Sequence, residues 1–370
     1  MKKGGNAMEI HEEVEKCTEC ESCLEVCPTY KITSRFALSP LGRLQAALRL
    51  SEGEVTEEAR EIFYTCTKCM ACEAVCPQEV KVTRVVHEAR KELVRKGLAP
   101  FGAQQKVLEG LRGLGNAVGG DPRKRLDWLP DALPKGDSSR LLFVGCLPSY
   151  IVTDAALYSY LLLKRLGISF TLLEDEGCCG IYPYEVGLED MAREIFERQL
   201  QRFTSLGIRE VIVPCNGCLK SFKYFYPEIL GGIPFEVRHI FEVLWEALRE
   251  REIEPERTLG EITYVDSCRL SRGEGLLEEP RRLLAMFGAE LREPPWTGME
   301  APCCGSGAGV RSIFRELSFK MAGEILRGAP SQRLVTACPF CTFSLSHVAK
   351  KEGFPKEVVY FTRILFEALG

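Results

Sequence analysis

Ten cysteines in the C-terminal part of the chain follow one five-cysteine pattern twice, and this repeat limits the possible folds more than any other feature. Each copy has a single cysteine, then an adjacent Cys-Cys-Gly, then a Cys-x-x-Cys. The first pentad is Cys146, Cys178, Cys179, Cys215 and Cys218, and the second is Cys268, Cys303, Cys304, Cys338 and Cys341. Equivalent cysteines lie 122, 125 and 123 residues apart, which indicates an internal duplication. Five soft ligands per copy exceed what one zinc ion needs.

Two further cysteine runs precede the pentads. The first run is Cys17, Cys20, Cys23 and Cys27, followed by Pro28, and the second is Cys66, Cys69, Cys72 and Cys76, followed by Pro77. This spacing is typical of ferredoxins with two 4Fe-4S clusters, in which the fourth cysteine of each run binds the other cluster. The runs therefore predict a first cubane held by Cys17, Cys20, Cys23 and Cys76, and a second held by Cys66, Cys69, Cys72 and Cys27. All eighteen cysteines then have a predicted role.

Three other interpretations of these cysteines are open. A disulfide framework would be expected of a secreted chain, but no signal peptide precedes the first ligand and the spacings are those of metal sites. Zinc takes four thiolates from paired Cys-x-x-Cys motifs, whereas here two uninterrupted runs each end in proline. Buried structural thiols would not explain why a whole pentad recurs. Iron–sulfur clusters account for every motif.

Residues 1–98 are predicted to form a helical ferredoxin domain. Ser39 and Pro40 predict the start of a helix, as its N-cap and first residue, and Gly53 predicts its end. Two more helices are expected over residues 56–63 and 83–96. Residues 99–138 are rich in glycine and proline, so they are predicted to be a linker between two halves that fold independently.

Strands alternate with helices in the C-terminal half. Apolar runs end at Cys146 and Cys215 in the first copy, and at Cys268 and Cys338 in the second. Short runs before the two Cys-Cys pairs are expected to be strands as well, with helices over 152–166 and 187–206. This alternation predicts a parallel sheet in each of two α/β domains, residues 139–258 and 259–370. The ligands would then lie at strand C-termini, where open α/β sheets bind cofactors.

Composition and charge exclude several classes of protein. The net charge is −4 with acidic and basic residues interspersed, so the chain offers no basic face to nucleic acid. It has no apolar stretch long enough to be a transmembrane segment of its own. We therefore expect a cytoplasmic protein, held peripherally at the membrane only through a partner subunit.

The motifs together resemble heterodisulfide reductase. Both pentads are similar to those of the CCG domains in its B-type subunit, the N-terminal half resembles its C-type subunit, and their fusion in this order resembles its D-type subunit. The segments CTECESCLEVCPTY and SPLGRL also resemble the iron–sulfur subunits of glycolate and lactate oxidases. Those subunits typically lack a cysteine in one or both Cys-x-x-Cys elements, whereas VPCNGC and TACPFC are complete here. The complete pentads favour the heterodisulfide reductase branch.

The resemblance implies a function. It implies an iron–sulfur oxidoreductase in which two 4Fe-4S cubanes pass electrons to two noncubane 4Fe-4S clusters, one in each CCG domain. These would reduce a small disulfide of the coenzyme M–coenzyme B class, which belongs to methanogenesis. The redox partner would be a membrane cytochrome b or a flavoprotein. The alternative is an electron-transfer subunit of a flavin-dependent 2-hydroxyacid dehydrogenase, without a substrate site of its own.

A few other residues invite a functional interpretation. Asp266 and Arg269 flank Cys268, and they are expected either to orient a substrate and donate hydrogen bonds to sulfur or to form a surface salt bridge. His239 and His347 are expected to be structural. The GSGAG segment at 305–309 is not preceded by a strand, so we expect its small residues to let the backbone approach a cluster, not a nucleotide.

Overall fold

The computed structural model describes residues 5–133 and 138–370. The first four residues of the predicted ferredoxin domain, and residues 134–137 of the predicted linker, lie outside it. The N-terminal helices are Gly5–Glu15 (α1), Ser22–Val26 (α2), Pro28–Thr33 (α3), Pro40–Ser51 (α4), Ala59–Tyr64 (α5), Ala71–Ala74 (α6) and Val82–Arg95 (α7). Within residues 5–98 no strand is formed, so the predicted helical character of this domain is confirmed.

The long helices begin close to where the sequence places them. The Ser39 hydroxyl caps α4 by accepting a hydrogen bond from the Gly42 amide at 3.0 Å, and Pro40 occupies the first turn. Helix α7 spans the predicted stretch within one residue at each end. Helix α5 begins at Ala59, later than expected, because the residues before it form a turn. Leu44 and Leu50 of α4 pack with Val86 of α7 in the core of this domain.

The predicted linker is more structured than its glycine content suggests. It contains a helix, Ala103–Leu114 (α8), whose Leu108 and Leu111 are buried in the core of the C-terminal half. A 3-10 turn follows at Pro122–Lys124. Trp128 is also buried in that core and packs edge-on against Tyr160, with ring centroids 6.1 Å apart. The described part of this segment therefore belongs to the C-terminal half structurally.

The first copy in the C-terminal half is a three-stranded parallel sheet flanked by helices. Its elements are Arg140–Leu142 (β1), Cys146–Tyr150 (α9), Thr153–Arg165 (α10), Ile181–Glu185 (α11), Glu189–Ser205 (α12), Glu210–Val213 (β2), Asn216–Lys220 (α13), Tyr226–Leu230 (α14), Glu236–His239 (β3) and Ile240–Leu248 (α15). A π-helix, Ser221–Phe225, joins α13 to α14. The strand order is β1-β2-β3, with Leu141 beside Val211 and Val211 beside Val237.

The second copy repeats this plan with four parallel strands. Its elements are Gly260–Tyr264 (β4), Glu279–Met286 (α16), Ala289–Leu291 (β5), Val310–Ile313 (α17), Arg315–Gly328 (α18), Arg333–Thr336 (β6), Pro339–Glu352 (α19), Glu357–Tyr360 (β7) and Phe361–Leu369 (α20). A π-helix, Arg269–Gly273, follows β4, and the strand order is β5-β4-β6-β7. The predicted fold class, a helical ferredoxin domain followed by duplicated α/β domains with parallel sheets, is confirmed.

One predicted strand is reduced to a single bridge. Of the strand predicted before the Cys178 pair, the structure shows one paired residue, Thr171, which lies opposite Leu141 of β1. The second copy has the full strand β5 at the equivalent place. The Thr171 amide donates to the Arg140 carbonyl at 2.8 Å, and its carbonyl accepts from the Leu142 amide at 3.0 Å. A turn at residues 174–175 then directs the chain toward the Cys178 pair. The strand expected here is therefore wrong in length, although its place in the sheet is right.

A strand and helix at the end of each copy were not predicted. Strand β3 leads directly into α15, and β7 leads directly into α20. The segments EVRHIFEVLWEAL and EVVYFTRILFEAL begin at positions 236 and 357 and share glutamate, valine, leucine and a final Glu-Ala-Leu at equivalent positions. This second internal repeat is the sequence signal from which both elements could have been predicted.

The two copies share one hydrophobic core. Tyr264 of the second copy and Phe222 of the first belong to the same cluster of buried side chains. The Tyr360 hydroxyl donates to the Pro214 carbonyl at 2.6 Å, and the Asn216 amide donates to the Ser267 hydroxyl at 2.8 Å. These contacts cross from one copy to the other beside the cysteine motifs. The duplicated domains therefore pack as one body.

The ferredoxin domain docks on this body through buried polar contacts. Arg90 of α7 is fully buried and donates to the carbonyl oxygens of Glu185 at 2.7 Å and Ala308 at 3.0 Å. The Tyr64 hydroxyl donates to the Val186 carbonyl at 2.8 Å. A Cβ on Gly307 would lie 2.6 Å from the Thr67 carbonyl oxygen. The GSGAG segment thus packs against the ferredoxin domain, an interface that the linker composition does not predict.

Candidate cluster-binding sites

Two cavities in the ferredoxin domain are lined by its cysteines. The cavity that we call the first ferredoxin cavity is lined by Cys17, Cys20, Cys23 and Cys76, together with Cys72. The second ferredoxin cavity is lined by Cys27, Cys66, Cys69 and Cys72. In each cavity the last cysteine of one run meets the first three of the other run. The fold thus brings together the two sets of four that the spacing predicts.

The backbone bends around both cavities in the same way. Glu19 and Glu21 in the first run have φ of 53° and 62°, and Lys68 and Met70 in the second have φ of 52° and 64°. A left-handed conformation is uncommon for residues other than glycine, and such positions concentrate at functional sites. Here they turn the chain on both sides of the second cysteine of each run. The two runs therefore share one backbone conformation around their second cysteine.

An arginine that sequence reasoning did not single out lies beside the second ferredoxin cavity. Arg43 is buried, and its guanidinium donates to the Cys27 sulfur at 3.8 Å and the Thr65 hydroxyl at 3.1 Å. A third hydrogen bond, to the Ile62 carbonyl at 2.9 Å, fixes its position. The Arg43 guanidinium favours the Cys27 thiolate, but burial outweighs it and raises the pKa of Cys27 above its usual value. In the first ferredoxin cavity, burial and the neighbouring Cys17 raise the pKa of Cys23 to about 11.

The cysteines of the first pentad lie together at one site. Cys178, Cys179, Cys215 and Cys218 belong to one cluster of buried side chains. Neighbouring thiols in the series Cys146, Cys178, Cys179, Cys218, Cys215 shift one another's pKa. All but Cys146 are buried. The fold therefore gathers five cysteines that are spread over 73 sequence positions into one site.

The second pentad repeats that series member by member. Neighbouring thiols in the series Cys268, Cys303, Cys304, Cys341, Cys338 shift one another's pKa. All but Cys268 are buried, which again matches the first copy. The duplication thus extends from sequence spacing to the contacts of the side chains.

Parallel strands position the ligands of both pentads. Cys146 begins α9 shortly after β1, and Cys215 caps α13 after β2. In the second copy Cys338 caps α19 after β6. Strand C-termini meet at one edge of a parallel sheet, so ligands from separate strands converge there. Each Cys-Cys pair lies in a loop at the same edge.

Polar contacts around the Cys-Cys pairs are duplicated as well. The amides of Gly180 and Gly305 each donate to the first sulfur of the pair at 3.4 Å. The Ser221 hydroxyl donates to the Cys179 carbonyl at 2.7 Å, and the Ser344 hydroxyl to the Cys304 carbonyl at 3.0 Å. Both serines stand three residues after a Cys-x-x-Cys, which is the signal that would have revealed them.

The second cysteine of each pair is the more acidic one. The pKa of Cys179 is lowered to about 6, because the neighbouring thiols of Cys178 and then Cys218 stabilise its thiolate. The thiols of Cys303 and Cys341 likewise lower the pKa of Cys304 well below its usual value. The first cysteine of each pair, Cys178 or Cys303, has a raised pKa. A donor set of sulfur alone fits iron–sulfur clusters.

One contact joins the ferredoxin domain to the second pentad directly. Cys69, which lines the second ferredoxin cavity, packs against Cys303. The neighbouring Cys303 thiol lowers the pKa of the Cys69 thiol well below its usual value. Both sulfurs belong to a small buried cluster with Ala71. In the described residues the first pentad has no such contact, so the two equivalent pentads differ in their relation to the ferredoxin domain.

The remaining candidate residues have structural partners. Asp266 is buried and accepts from Arg281 at 2.7 Å and the Gly298 amide at 2.8 Å, so it neither forms a surface salt bridge nor points at sulfur. Arg269 pairs with the buried carboxylate of Glu185 at 3.1 Å. His239 is buried, and its Nδ1 accepts from the Phe241 amide at 3.2 Å as the cap of α15, which is a structural role.

Comparisons with known proteins agree with this geometry. Residues 13–80 match the 4Fe-4S dicluster domain family, and residues 141–223 and 262–346 each match the Cysteine-rich domain family. In the part of the chain that the structure describes, no helix is both long and apolar enough to cross a membrane.

Several curated proteins are similar to this chain, two of them over nearly its whole length. The D-type subunit of dihydromethanophenazine:CoB–CoM heterodisulfide reductase from Methanosarcina acetivorans is 31% identical, over 90% of this chain and 88% of its own. The B-type subunit of fumarate reductase (CoM/CoB) from Methanothermobacter marburgensis is 28% identical, over 91% and 68%. EtfAB:quinone oxidoreductase of Syntrophomonas wolfei is 31% identical, over 54% and 30%. The chain therefore belongs to the family of heterodisulfide reductase D-type subunits and is an iron–sulfur oxidoreductase subunit with an electron-transfer role of that type.

Proposed function

We propose that the chain holds two cubane and two noncubane 4Fe-4S clusters and reduces a disulfide. Cys17, Cys20, Cys23 and Cys76 would hold the first cubane, and Cys27, Cys66, Cys69 and Cys72 the second. Each pentad would hold one noncubane cluster. The sorting of the ferredoxin cysteines into two cavities and the matching series of neighbouring thiols in the two pentads support this assignment. Residues 1–98, 139–258 and 259–370 would be the three domains.

The bound clusters would supply one-electron transfer. A disulfide takes up two electrons and two protons to become two thiols, with cleavage of the sulfur–sulfur bond. Two equivalent sites that deliver one electron each match this stoichiometry. The duplication of the whole pentad, including the contacts of Ser221 and Ser344, then has a chemical reason.

The observation that carries this proposal is that the Cys-x-x-Cys loops of the two pentads meet. Gly217 lies between Cys215 and Cys218, and a Cβ on it would lie 3.2 Å from the Phe340 ring. Phe340 in turn lies between Cys338 and Cys341. Both Cys-x-x-Cys loops therefore meet across the junction of the two copies. A disulfide held at this junction would have one pentad on each side.

Electrons would enter the C-terminal half at the second pentad. The packing of Cys69 against Cys303 joins a ferredoxin cavity to a pentad. Cys20, by contrast, is exposed at the first ferredoxin cavity, which leaves that site open to a redox partner. We propose that the partner is a membrane cytochrome b or a flavoprotein subunit. A cytochrome b would hold this chain at the membrane surface.

The substrate class follows from the relatives. The names of the Methanosarcina and Methanothermobacter proteins refer to coenzyme M and coenzyme B. We propose that the substrate here is their heterodisulfide or a small disulfide like it.

A second candidate function is electron relay without a substrate. It is favoured by the similarity to EtfAB:quinone oxidoreductase, which covers 54% of this chain. In that role the chain would pass electrons between a flavoprotein and a membrane carrier, as in a flavin-dependent 2-hydroxyacid dehydrogenase. A disulfide or thiol should then leave both pentads unaffected.

Iron content and thiol binding test the proposal together. Four clusters with four irons each predict about sixteen irons per chain after anaerobic purification. Adding coenzyme M or coenzyme B to the reduced protein, followed by oxidation, should produce a paramagnetic signal that depends on the thiol. About half of the expected iron, with zinc in its place, would contradict the pentad assignment. Full iron without a thiol-dependent signal would favour the relay.

A further inference from the structure

Glu185 is a buried carboxylate that binds cations from three parts of the fold. It ends α11, and its side chain is 2% exposed. Lys68 Nζ lies 2.9 Å from Glu185 Oε2, Lys220 Nζ lies 3.4 Å from Oε1, and Arg269 Nη2 lies 3.1 Å from Oε1. One carboxylate thus joins the ferredoxin domain to both copies of the C-terminal half.

Each of these cations adjoins a cysteine of a different proposed cluster site. Lys68 stands between Cys66 and Cys69, Lys220 follows Cys218 by two positions, and Arg269 follows Cys268 directly. The second ferredoxin cavity, the first pentad and the second pentad therefore each contribute one flanking cation to Glu185. We call these four charged side chains the Glu185 hub.

The hub places three basic side chains around one carboxylate. Burial alone would raise the pKa of Glu185, but Lys220, Lys68 and Arg269 outweigh it and hold that pKa well below its usual value, so the carboxylate is charged. Burial lowers the pKa of Lys220 to about 7 and also lowers that of Lys68, whereas the pKa of Arg269 is raised. Cysteine sites that become more negative when a bound cluster is reduced favour the positive forms of these side chains.

Holding the domains together does not require this arrangement. Arg90 already bonds the Glu185 carbonyl, and Tyr64 bonds the Val186 carbonyl next to it. Replacing buried ion pairs by packed apolar residues is often neutral or favourable for stability, so buried charge is weak support for a purely structural role. Charge beside a ligand sulfur, in contrast, sets the reduction potential of a cluster.

We propose that Glu185 is a positioning residue that holds Lys68, Lys220 and Arg269 beside three cluster sites and adjusts their reduction potentials together. The inference rests on the proposed function, since it needs clusters at these sites. The three cations stabilise the reduced, more negative state of each cluster, and the carboxylate offsets part of their charge. Removing the carboxylate should therefore raise the reduction potentials, and removing a cation should lower them.

The test is a redox titration of the anaerobically reconstituted full chain, followed by paramagnetic resonance. Glu185→Gln should raise the equilibrium constant for reduction of the second cubane and of both pentad clusters about tenfold. For a one-electron couple this raises the reduction potential by about 59 mV. Lys220→Gln should disfavour reduction of the first pentad cluster by a similar factor. Lys223 and Glu274 form a matched control pair, 2.6 Å apart, at the junction of the same two copies. Lys223→Gln and Glu274→Gln should leave all potentials unchanged.

The outcomes separate this inference from the proposed function. If the wild-type chain lacks pentad signals, the proposed function fails and the inference with it. If the signals are present and neither variant moves them, only the role of Glu185 is overturned. A shift of the same sign in both variants would indicate loosened packing and would also overturn it. Should Glu185→Gln fail to fold, the sign of the shift in Lys220→Gln decides.

Discussion

Replacing Arg90 by methionine should destabilise the whole chain, not only the ferredoxin domain. The guanidinium is fully buried and donates to four carbonyl oxygens that belong to three separate segments. The two shortest of these hydrogen bonds, to the carbonyl oxygens of Cys66 and Glu185, are both 2.7 Å long. Methionine fills much of the same volume but donates no hydrogen bond, so all four acceptors lose a partner.

The size of the effect follows from these contacts. A buried acceptor left without its partner costs about 1–3 kcal/mol. Four acceptors at the lower end of this range give a loss of about 4 kcal/mol in the free energy of unfolding. Folded proteins are stable by about 5–15 kcal/mol in total, so the loss should be a large fraction of the stability. Cluster retention should fall with it, because one acceptor is the carbonyl of Cys66, a proposed ligand of the second cubane.

The assay is anaerobic denaturant unfolding of the full chain, followed by circular dichroism and by iron absorbance. Arg95→Met is the matched control, since Arg95 lies on the same helix with a side chain 53% exposed and pairs only with Glu92 among the contacts that the structure describes. Exposed pairs of this kind contribute about 0–1 kcal/mol. Equal unfolding midpoints for Arg90→Met and Arg95→Met would refute this account of the interface.

Three further perturbations follow from the same structure. Cys27→Ala should damage the cluster held with Cys66, Cys69 and Cys72, whereas Cys76→Ala should damage the one held with Cys17, Cys20 and Cys23; paramagnetic spectra showing the reverse would refute the exchange of ligands. Gly307→Ala should loosen the docking of the ferredoxin domain, because the added Cβ would lie 2.6 Å from the Thr67 carbonyl oxygen. Amide hydrogen exchange in α7 should then become faster. Gly113→Ala, where a Cβ has open space, should leave the exchange rates in α7 unchanged. Glu176→Ala should cost about 3–5 kcal/mol, because it leaves the buried Arg125 unpaired and frees the amides of Val144 and Gly145; the exposed Glu174→Ala is the control, and equal midpoints in denaturant would contradict this estimate.

Features that depend on the spacing of nearby residues could be predicted from the sequence alone. The helix start at Ser39 and Pro40 depends on a hydrogen bond within one turn, so residue types three positions apart reveal it. The strands before Cys146, Cys215, Cys268 and Cys338 are apolar runs that end at a ligand, and they occur where expected. The sorting of the ferredoxin cysteines follows from spacing as well.

Features that depend on distant partners were beyond such reasoning. Arg90 and Glu185 look like ordinary surface charges of two helices, and only the docking of three domains buries them. The contact of Cys69 with Cys303 joins residues 234 positions apart, and no spacing rule predicts it. Strands β3 and β7 and the helices after them are an exception among the elements that were not predicted. Their repeated Glu-Val and Glu-Ala-Leu positions are visible in the sequence.

The most direct measurement of the central claim is cleavage of the coenzyme M–coenzyme B heterodisulfide by the reduced chain, with Cys179→Ala and Cys304→Ala beside it. If the two pentads act on one disulfide, each substitution should abolish thiol release almost completely, and the double variant should be no worse than either single one. Glu174→Ala, a change on the exposed surface, should release both thiols at the wild-type rate. Half of the wild-type rate in each single variant would contradict joint action of the pentads. No thiol release from the fully loaded wild-type chain with a strong reductant would contradict the disulfide reductase function itself.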